Sequence, residues 1–242
     1  MFSVFKRKPS TVPLSRLAYT ADCHTHLLPG MDDGRFTPES SLRLLDEMET
    51  QGVREVYFTS HVMQGVHPNT TVELKSAFDR FCASYQGNIQ LHLAAEYMVD
   101  ELFLERIRSK DLLCWPGNKI LMDMSYVAES QWIDHVLFEV RLMSLQPIIA
   151  HPERYGYLAD KLNAFDRYVQ AGAEFQLNLL SLSGVYGKSS EKIMDYLFEK
   201  GFYRYVGSDL HSPNQWLQIR QTNVPLRFAL AGERLGLWHL KE

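Results

Sequence analysis

The sequence predicts an α/β barrel of seven parallel strands wrapped by helices, with a polar site at the C-terminal ends of the strands. Three observations predict it. Short β-rich segments alternate with longer segments of helical spacing along most of the chain. Histidine, aspartate and glutamate recur where those strands end. The 242 residues, 45% of them hydrophobic and 12% aromatic, are enough to bury one sizeable core.

Strands are expected at 19–23, 53–60, 89–96, 120–124, 147–151, 174–178 and 203–208. Between them, 39–51 places Leu42, Leu45 and Met48 on one stripe behind the helix start Thr37-Pro38. Segment 72–85 repeats the spacing with Leu74, Phe78 and Phe81, and 131–144, 160–171 and 191–200 read the same way. Gly52, Gly172 and Gly201 each fall just past a helix, where a left-handed residue ends it. An open doubly wound sheet fits this alternation equally well, and the polar residues separate the two. His24 and His26 follow the first strand, His61 ends the second, Glu96 the third and His151 the fifth, while Asp209 and His211 follow the seventh. In a barrel those ends converge on one face; in an open sheet they would be spread along a line. Residues 1–18 are expected to be a flexible extension, and 19–242 a single barrel domain.

These residues suit divalent cations. His24 and His26, two apart, share one side of a strand and can hold one ion together. Gly30-Met-Asp32-Asp33-Gly34 is a tight loop offering carboxylates. Glu96, at the end of a buried strand, needs a cationic partner, because an unpaired buried charge is costly. His151 is presented by Ile148-Ile-Ala-His-Pro-Glu-Arg154, and Arg154 has the geometry to clamp a phosphoryl group or to pair with a carboxylate. Asp209 and His211 repeat the two-residue spacing. Mixed imidazole and carboxylate ligands without a thiolate suit Mn, Fe or Zn. Eight candidates, His24, His26, Asp33, His61, Glu96, His151, Asp209 and His211, exceed the four or so that one tetrahedral ion takes, so two or three metals are expected, with Glu96 bridging. Asp22 and Glu153 are expected behind the ligand imidazoles.

Composition narrows the function classes. A net charge of −4 gives no bulk attraction for nucleic acid, and the one basic cluster is Lys6, Arg7 and Lys8. Phe2, Val4 and Phe5 beside it read as part of a disordered tail rather than a membrane contact. No apolar run approaches the ~20 residues that span a bilayer, so no stable membrane insertion is expected. Three cysteines without a CxxC pair suit a reducing cytoplasm. A cysteine-dependent tyrosine phosphatase needs arginine six positions after its cysteine. Cys23, Cys82 and Cys114 have Pro29, Asn88 and Ile120 there. Gly187-Lys-Ser189 lacks the earlier glycine of a phosphate loop, since Leu182 stands in its place, and reads as an ordinary loop.

Taken together, His24-Thr-His26, Asp33-Gly34, Ser60-His61, Glu96, His151-Pro-Glu-Arg154 and Ser208-Asp209-Leu-His211 resemble the polymerase-and-histidinol-phosphatase (PHP) superfamily. Within it, residues 22–34, His151-Pro-Glu-Arg-Tyr155 and Ser181-Leu-Ser-Gly-Val-Tyr-Gly187 are similar to bacterial protein-tyrosine phosphatases of capsule and exopolysaccharide operons. The resemblance implies a distorted, TIM-like seven-stranded barrel with a trinuclear site, usually supported by manganese. It implies one metal on His24, His26, Glu96 and Asp209, a second on Glu96 and His151, and a third on Asp33, His61 and His211. It implies that Arg154 binds phosphate, with Asp209 and His211 also in the catalytic set, and that the substrate is the phosphotyrosine tail of a bacterial tyrosine kinase. One departure stands out. Some relatives carry another phosphate-facing arginine shortly after Asp-x-His; here Ser212-Pro-Asn-Gln-Trp follows and the first arginine is Arg220. A histidinol-phosphate phosphatase would use the same ligands, a polymerase-associated 3′–5′ exonuclease is disfavoured by the acidic balance, and a non-catalytic scaffold would not keep every ligand. Trp115, Tyr155, Tyr186 and Trp216 are candidates to stack on a tyrosyl ring, with core or rim packing the commoner role. The oligomeric state is not legible.

Overall fold

A computed structural model describes residues 10–240. Nine strand segments carry the architecture: β1 (Ala21–Thr25), β2 (Glu55–Phe58), β3 (His61–Val62), β4 (Gln90–Leu93), β5 (Glu96–Met98), β6 (Lys119–Asp123), β7 (Gln146–Ala150), β8 (Glu174–Asn178) and β9 (Tyr203–Gly207). All their mutual pairings are parallel. The ladders fall into a three-stranded group, β1-β2-β4, and a six-stranded group, β9-β8-β7-β6-β5-β3.

The expected strands 53–60 and 89–96 are thus each broken in two, at Thr59-Ser60 and Ala94-Ala95. The breaks hand the ladder from one group to the other while backbone hydrogen bonds continue, with Ala94 N donating to Phe58 O and Glu96 N to Ser60 O. The physical effect is a bend beside the site, and His61 and Glu96 open the second halves instead of closing the first. On the other side β9 lies beside β1. There Asp209 N donates to His24 O and His26 N to Leu210 O, joined by a single parallel bridge between Thr25 and Leu210.

Among the described residues eight helices cover the sheets: α1 (Pro38–Thr50), α2 (Thr71–Cys82), α3 (Glu101–Ser109), α4 (Ile133–Leu142), α5 (Asn163–Gln170), α6 (Gly187–Lys200), α7 (Pro213–Gln221) and α8 (Leu226–Arg234). Thr37 and Thr70 begin α1 and α2 with reciprocal capping bonds. Three helices were not expected from the sequence. The start of α3 was nonetheless legible, because Asp100 accepts from Phe103 N and Phe103, Leu104 and Ile107 are buried. Gly187-Lys-Ser189, expected as loop, is the first turn of α6.

Most buried apolar side chains lie in one large cluster. A second, smaller one (Ala94, Trp115, Leu121, Ile148 and Ala150) gathers residues of β6 and β7 and of the bend before β5. Trp115 packs between Tyr57 and Tyr205, with ring centroids 5.4 and 5.3 Å away. It serves the core, and Trp216 is buried too.

The expected flexible stretch is corrected in its second half. Thr11–Pro13 pairs antiparallel with Asn223–Pro225, and Leu17–Ala18 with His239–Leu240. Val12, Leu14 and Leu17 are buried, and this apolar burial against the C-terminal segments is what holds 11–18 in place. Lys6, Arg7, Lys8 and the apolar residues beside them lie outside the described residues. Among the described residues no helix is long and apolar enough to cross a membrane, and the three cysteines are free.

Gly207 shows how tightly β9 meets β1: a Cβ there would lie 2.4 Å from His24 Cβ and 2.8 Å from Gln176 Nε2. Gly207→Ala is expected to lose about 1–3 kcal/mol of stability through overpacking. Denaturant unfolding checks this, and a midpoint equal to that of the parent chain would contradict the close approach.

Candidate metal centre

The site is built from strand ends and the turns after them. His24 and Thr25 close β1, and His26 follows. His151 and Asp209 take left-handed backbone, with φ of 30° and 54°. Such residues cost about 1–3 kcal/mol each and persist where the surroundings impose them. Here the turn swings each side chain off its strand and into a shared cluster. Gly34 is required by the same crowding, since a Cβ would sit 2.3 Å from His26 O.

The structure brings all eight sequence-predicted ligand residues together. His24, His26, Glu96, His151 and Asp209 are buried, His61 and His211 are half-buried, and Asp33 is exposed at the mouth. Glu96 is central. Its Oε1 lies 3.1 Å from His151 Nε2, and its Oε2 lies 3.2 Å from His24 Nε2, 3.4 Å from His26 Nε2 and 3.0 Å from His61 Nδ1. Asp209 Oδ1 is 3.5 Å from His24 Nε2 and 3.4 Å from His26 Nε2. Asp33 Oδ1 faces His211 Nε2 at 3.3 Å and His61 Nε2 at 3.7 Å. Four overlapping groups have donor atoms close enough to share an ion: His26, Asp33, His61 and His211; His24, His151 and Asp209; His24, His26 and Glu96; and Glu96, Asp123 and His151.

Asp123 was missed from the sequence. It ends β6 in the same topological position as the other candidates, so the signal was available. Tyr155 O–H donates to its Oδ1 at 2.9 Å, which places Tyr155 behind the site instead of against a substrate. Two expected supporting residues are corrected. Asp22 accepts from Ser208 N and joins β9 to β1, and Glu153 accepts from Asn178 N, Ser181 Oγ–H and Tyr203 O–H. Neither hydrogen-bonds an imidazole. The groups that do are Asp32, 2.9 Å from His26 Nδ1, and the Gln176 amide oxygen, 2.9 Å from His24 Nδ1. Both oxygens only accept, so each Nδ1 carries a proton and each Nε2 is left for the cluster.

That arrangement tests whether cations fit. His24 Nε2 and His26 Nε2 stand 3.0 Å apart, where two lone pairs would repel. Glu96 Oε2 and His151 Nδ1 are buried with no hydrogen-bond partner, although three imidazole nitrogens surround the former. Atoms placed this way are supported by an ion between them. Without one, protons supply the charge. Burial opposes the charged form of His24, yet Glu96 and Asp209 outweigh it and push the imidazole up to about 8. Burial also opposes ionisation of Glu96 and Asp209, and the surrounding imidazoles hold both well below the usual carboxylate range. Burial, followed by the charge of Glu96, pushes Asp123 up.

A cleft of about 1000 Å³ opens onto the cluster. Its lining includes the apolar side chains of Met98, Met124, Tyr126 and Val127. Arg154 stands beside the metal-type residues. It donates to Asp209 Oδ2 at 2.7 Å, and its guanidinium lies 4.2 Å from the Tyr126 ring centroid and 4.8 Å from that of Tyr186. Tyr186 therefore lines the cleft, as does Tyr126, which was not singled out from the sequence. His67 approaches too, its ring stacked on His61 at 5.8 Å.

Because His24 titrates higher in the fold than its ordinary 6.5, it favours the metal-free fold below about pH 6.5 and loses that contribution as pH rises through about 8. A divalent cation needs the neutral ring and competes with this proton. The rise in Tm produced by Mn²⁺ is therefore expected to grow between about pH 6.5 and about pH 8. An increment that is flat or falls over that range would contradict the assignment.

With this geometry in view, the comparisons with known proteins are specific. The family CpsB/CapC, described as capsular polysaccharide synthesis, matches residues 20–219. The tyrosine-protein phosphatase YwqE of Bacillus subtilis is 27% identical over 195 residues, covering 79% of this chain and 77% of that protein. The tyrosine-protein phosphatase CpsB of Streptococcus agalactiae is 26% identical over 206 residues, covering 79% and 82%. A crystal structure from work on YwqE of Bacillus subtilis and CpsB of Streptococcus pneumoniae, described as metal-dependent tyrosine phosphatases, superposes with a TM-score of 0.73 at 23% identity, over 89% of this chain and 87% of that one. This last likeness shows the shared fold. The match over residues 20–219 decides the family, and the chain belongs to CpsB/CapC.

Proposed function

We propose that this chain is a divalent-metal-dependent protein-tyrosine phosphatase of the cytoplasm. Its substrate in this reading is the phosphotyrosine tail of a bacterial tyrosine kinase controlling capsule or exopolysaccharide synthesis. The observation that carries the reading is Glu96, a fully buried carboxylate with one unpartnered oxygen inside a ring of imidazoles, in contact with His61, which lines an open cleft. The relatives named tyrosine-protein phosphatases support the substrate class.

Charge supports two or three ions. Once ions replace the protons and the imidazoles are neutral, Asp32, Asp33, Glu96, Asp123 and Asp209 carry the negative charge, and among the described residues Arg154 is the one Lys or Arg bonded into the cluster. Five carboxylates against one guanidinium leave four negative charges. Two divalent cations cancel them, and a third leaves two positive charges, the complement of a phosphomonoester dianion. His24, His26, Asp33, His61, Glu96, His151, Asp209 and His211 would hold them, with Asp123 added beside Glu96 and His151. Manganese is our choice on the family resemblance, and iron and zinc accept the same donors. Closure of the strands into a distorted seven-stranded barrel belongs to this reading, supported by the backbone bonds between the ends of β1 and β9.

Bound there, the cations would supply Lewis acidity and make hydroxide available near neutral pH by lowering the pKa of a water from ~15.7 toward ~7. The chain's own groups do the rest. Arg154, its guanidinium close to the rings of Tyr126 and Tyr186, orients phosphoryl oxygens and balances charge that builds on them. Asp32 and Gln176 keep the proton of His26 and His24 on Nδ1. The apolar lining of Met98, Met124, Tyr126 and Val127 fits an aryl leaving group. A tyrosyl oxygen, with a pKa near ~10, leaves with little help from an acid. Among the described residues the lining carries two Lys or Arg side chains, Arg35 and Arg154, too few to make a track for a nucleic-acid backbone.

His24→Ala and Asp209→Ala are each expected to lower turnover of an aryl phosphate by more than about a hundredfold while the far-ultraviolet spectrum stays folded, since loss of even a supporting contact costs about 10–100-fold. Steady-state kinetics with added Mn²⁺ checks this. Full activity in either variant would remove the proposal.

A further inference from the structure

We propose that Arg35 is a second guanidinium that binds the phosphoryl group, from its place beside His211 in the lining of the cleft it shares with Arg154. The inference rests on the phosphatase reading and goes beyond it by naming a residue the ligand set does not contain. Among the described residues two Lys or Arg side chains line the cleft, and of these Arg154 has Nη1 committed to Asp209 and its guanidinium close to the rings of Tyr126 and Tyr186. Its remaining N–H groups lie in one plane, so a second guanidinium adds donors from another direction for the three non-bridging oxygens of a phosphate.

Arg35 is in the contrasting state. It is exposed at the mouth, and among the described residues its guanidinium makes no hydrogen bond or ion pair. All five of its donors are free. Its backbone is nevertheless anchored: Arg35 N donates to His211 O, so the side chain springs from a fixed point beside His211 and two residues from Asp33. Those two residues and His61 bound the outermost of the candidate ion positions. Arg154 is bonded to Asp209, deeper in the cluster. The two guanidinium groups therefore reach one cleft from separate roots, one in the turn after β1 and one in the turn after β7.

The stretch after Asp-x-His offers no replacement. Ser212 and Gln215 line the cleft there and bring no charge, and the first arginine, Arg220, lies 3.8 Å from Glu47. An uncommitted arginine at the cleft mouth otherwise has no task in the fold.

Inorganic phosphate is the probe, because it lacks both the aryl ring and a peptide. Binding to the Mn²⁺-loaded chain is measured by calorimetry for the parent, Arg35→Met and Arg35→Lys, alongside KM for an aryl phosphate and for a phosphotyrosine peptide. Loss of one charge-assisted hydrogen bond is expected to raise the phosphate Kd and both KM values by about tenfold in Arg35→Met, with partial recovery in Arg35→Lys. Tm and metal stoichiometry should match the parent, since the side chain is exposed and unbonded. A phosphate Kd unchanged in Arg35→Met overturns the proposal. A KM effect confined to the peptide also overturns it and makes Arg35 a reader of acidic flanking residues. A parent chain that binds phosphate but hydrolyses no phosphotyrosine peptide counts against the phosphatase reading alone, and the Kd comparison still decides the role of Arg35.

Discussion

Buried carboxylates demand positive charge, and at this strand-end face the demand shapes everything around it. Glu96 and Asp209 cannot stay ionised in a packed interior without cations within a few ångströms. The protein answers with imidazoles whose Nδ1 protons are bound by Asp32 and Gln176, so that their Nε2 lone pairs face the carboxylates across a space an ion can occupy. The left-handed backbone at His151 and Asp209, the Cβ-free approach at Gly34 and Gly207, and the bends before His61 and Glu96 are local costs of bringing these donors to one place. Packing elsewhere has to offset them. The small inner cluster around Trp115 and the large outer core between strands and helices do so.

The cleft above the cluster is asymmetric in a way that matches a phosphorylated aromatic group. Its lining combines carboxylates and imidazoles with the apolar Met98, Met124, Tyr126 and Val127 and with Arg35 and Arg154. In the proposed reading, affinity for the phosphoryl end would come from charge, and preference for an aryl ester over an alkyl one from the apolar lining and from the leaving-group chemistry.

Much of this was legible in the sequence. His24 and His26 two apart, His151 after three apolar residues and Asp209 and His211 after the last strand are local signals, and local signals survive folding. The alternation of strand and helix was legible for the same reason. What was not legible depends on tertiary partners. Asp22 and Glu153 sit next to imidazoles in sequence but turn away from them, because Ser208, Ser181 and Tyr203 offer better donors. Gln176 on β8 reaches His24 on β1 past the intervening β9, a contact no spacing predicts. The bends at Thr59-Ser60 and Ala94-Ala95 were hidden because both halves of each strand are equally β-prone. Asp123 and the start of α3 are different: a strand-end aspartate and an Asp100 cap were present to be read. Residues 11–18 looked loose because their partners, Asn223–Pro225 and His239–Leu240, lie at the far end of the chain.

The central claim is that Glu96 anchors a cluster of divalent cations. Anomalous diffraction from crystals of the Mn²⁺-loaded chain with phosphate tests it most directly. The account expects two or three peaks about 3.5–4 Å apart, one of them between Glu96 Oε2 and the His24 and His26 Nε2 atoms, with phosphate oxygens facing Arg154. Absence of anomalous density there, with Glu96 instead hydrogen-bonded to protonated His24 and His26, would contradict it.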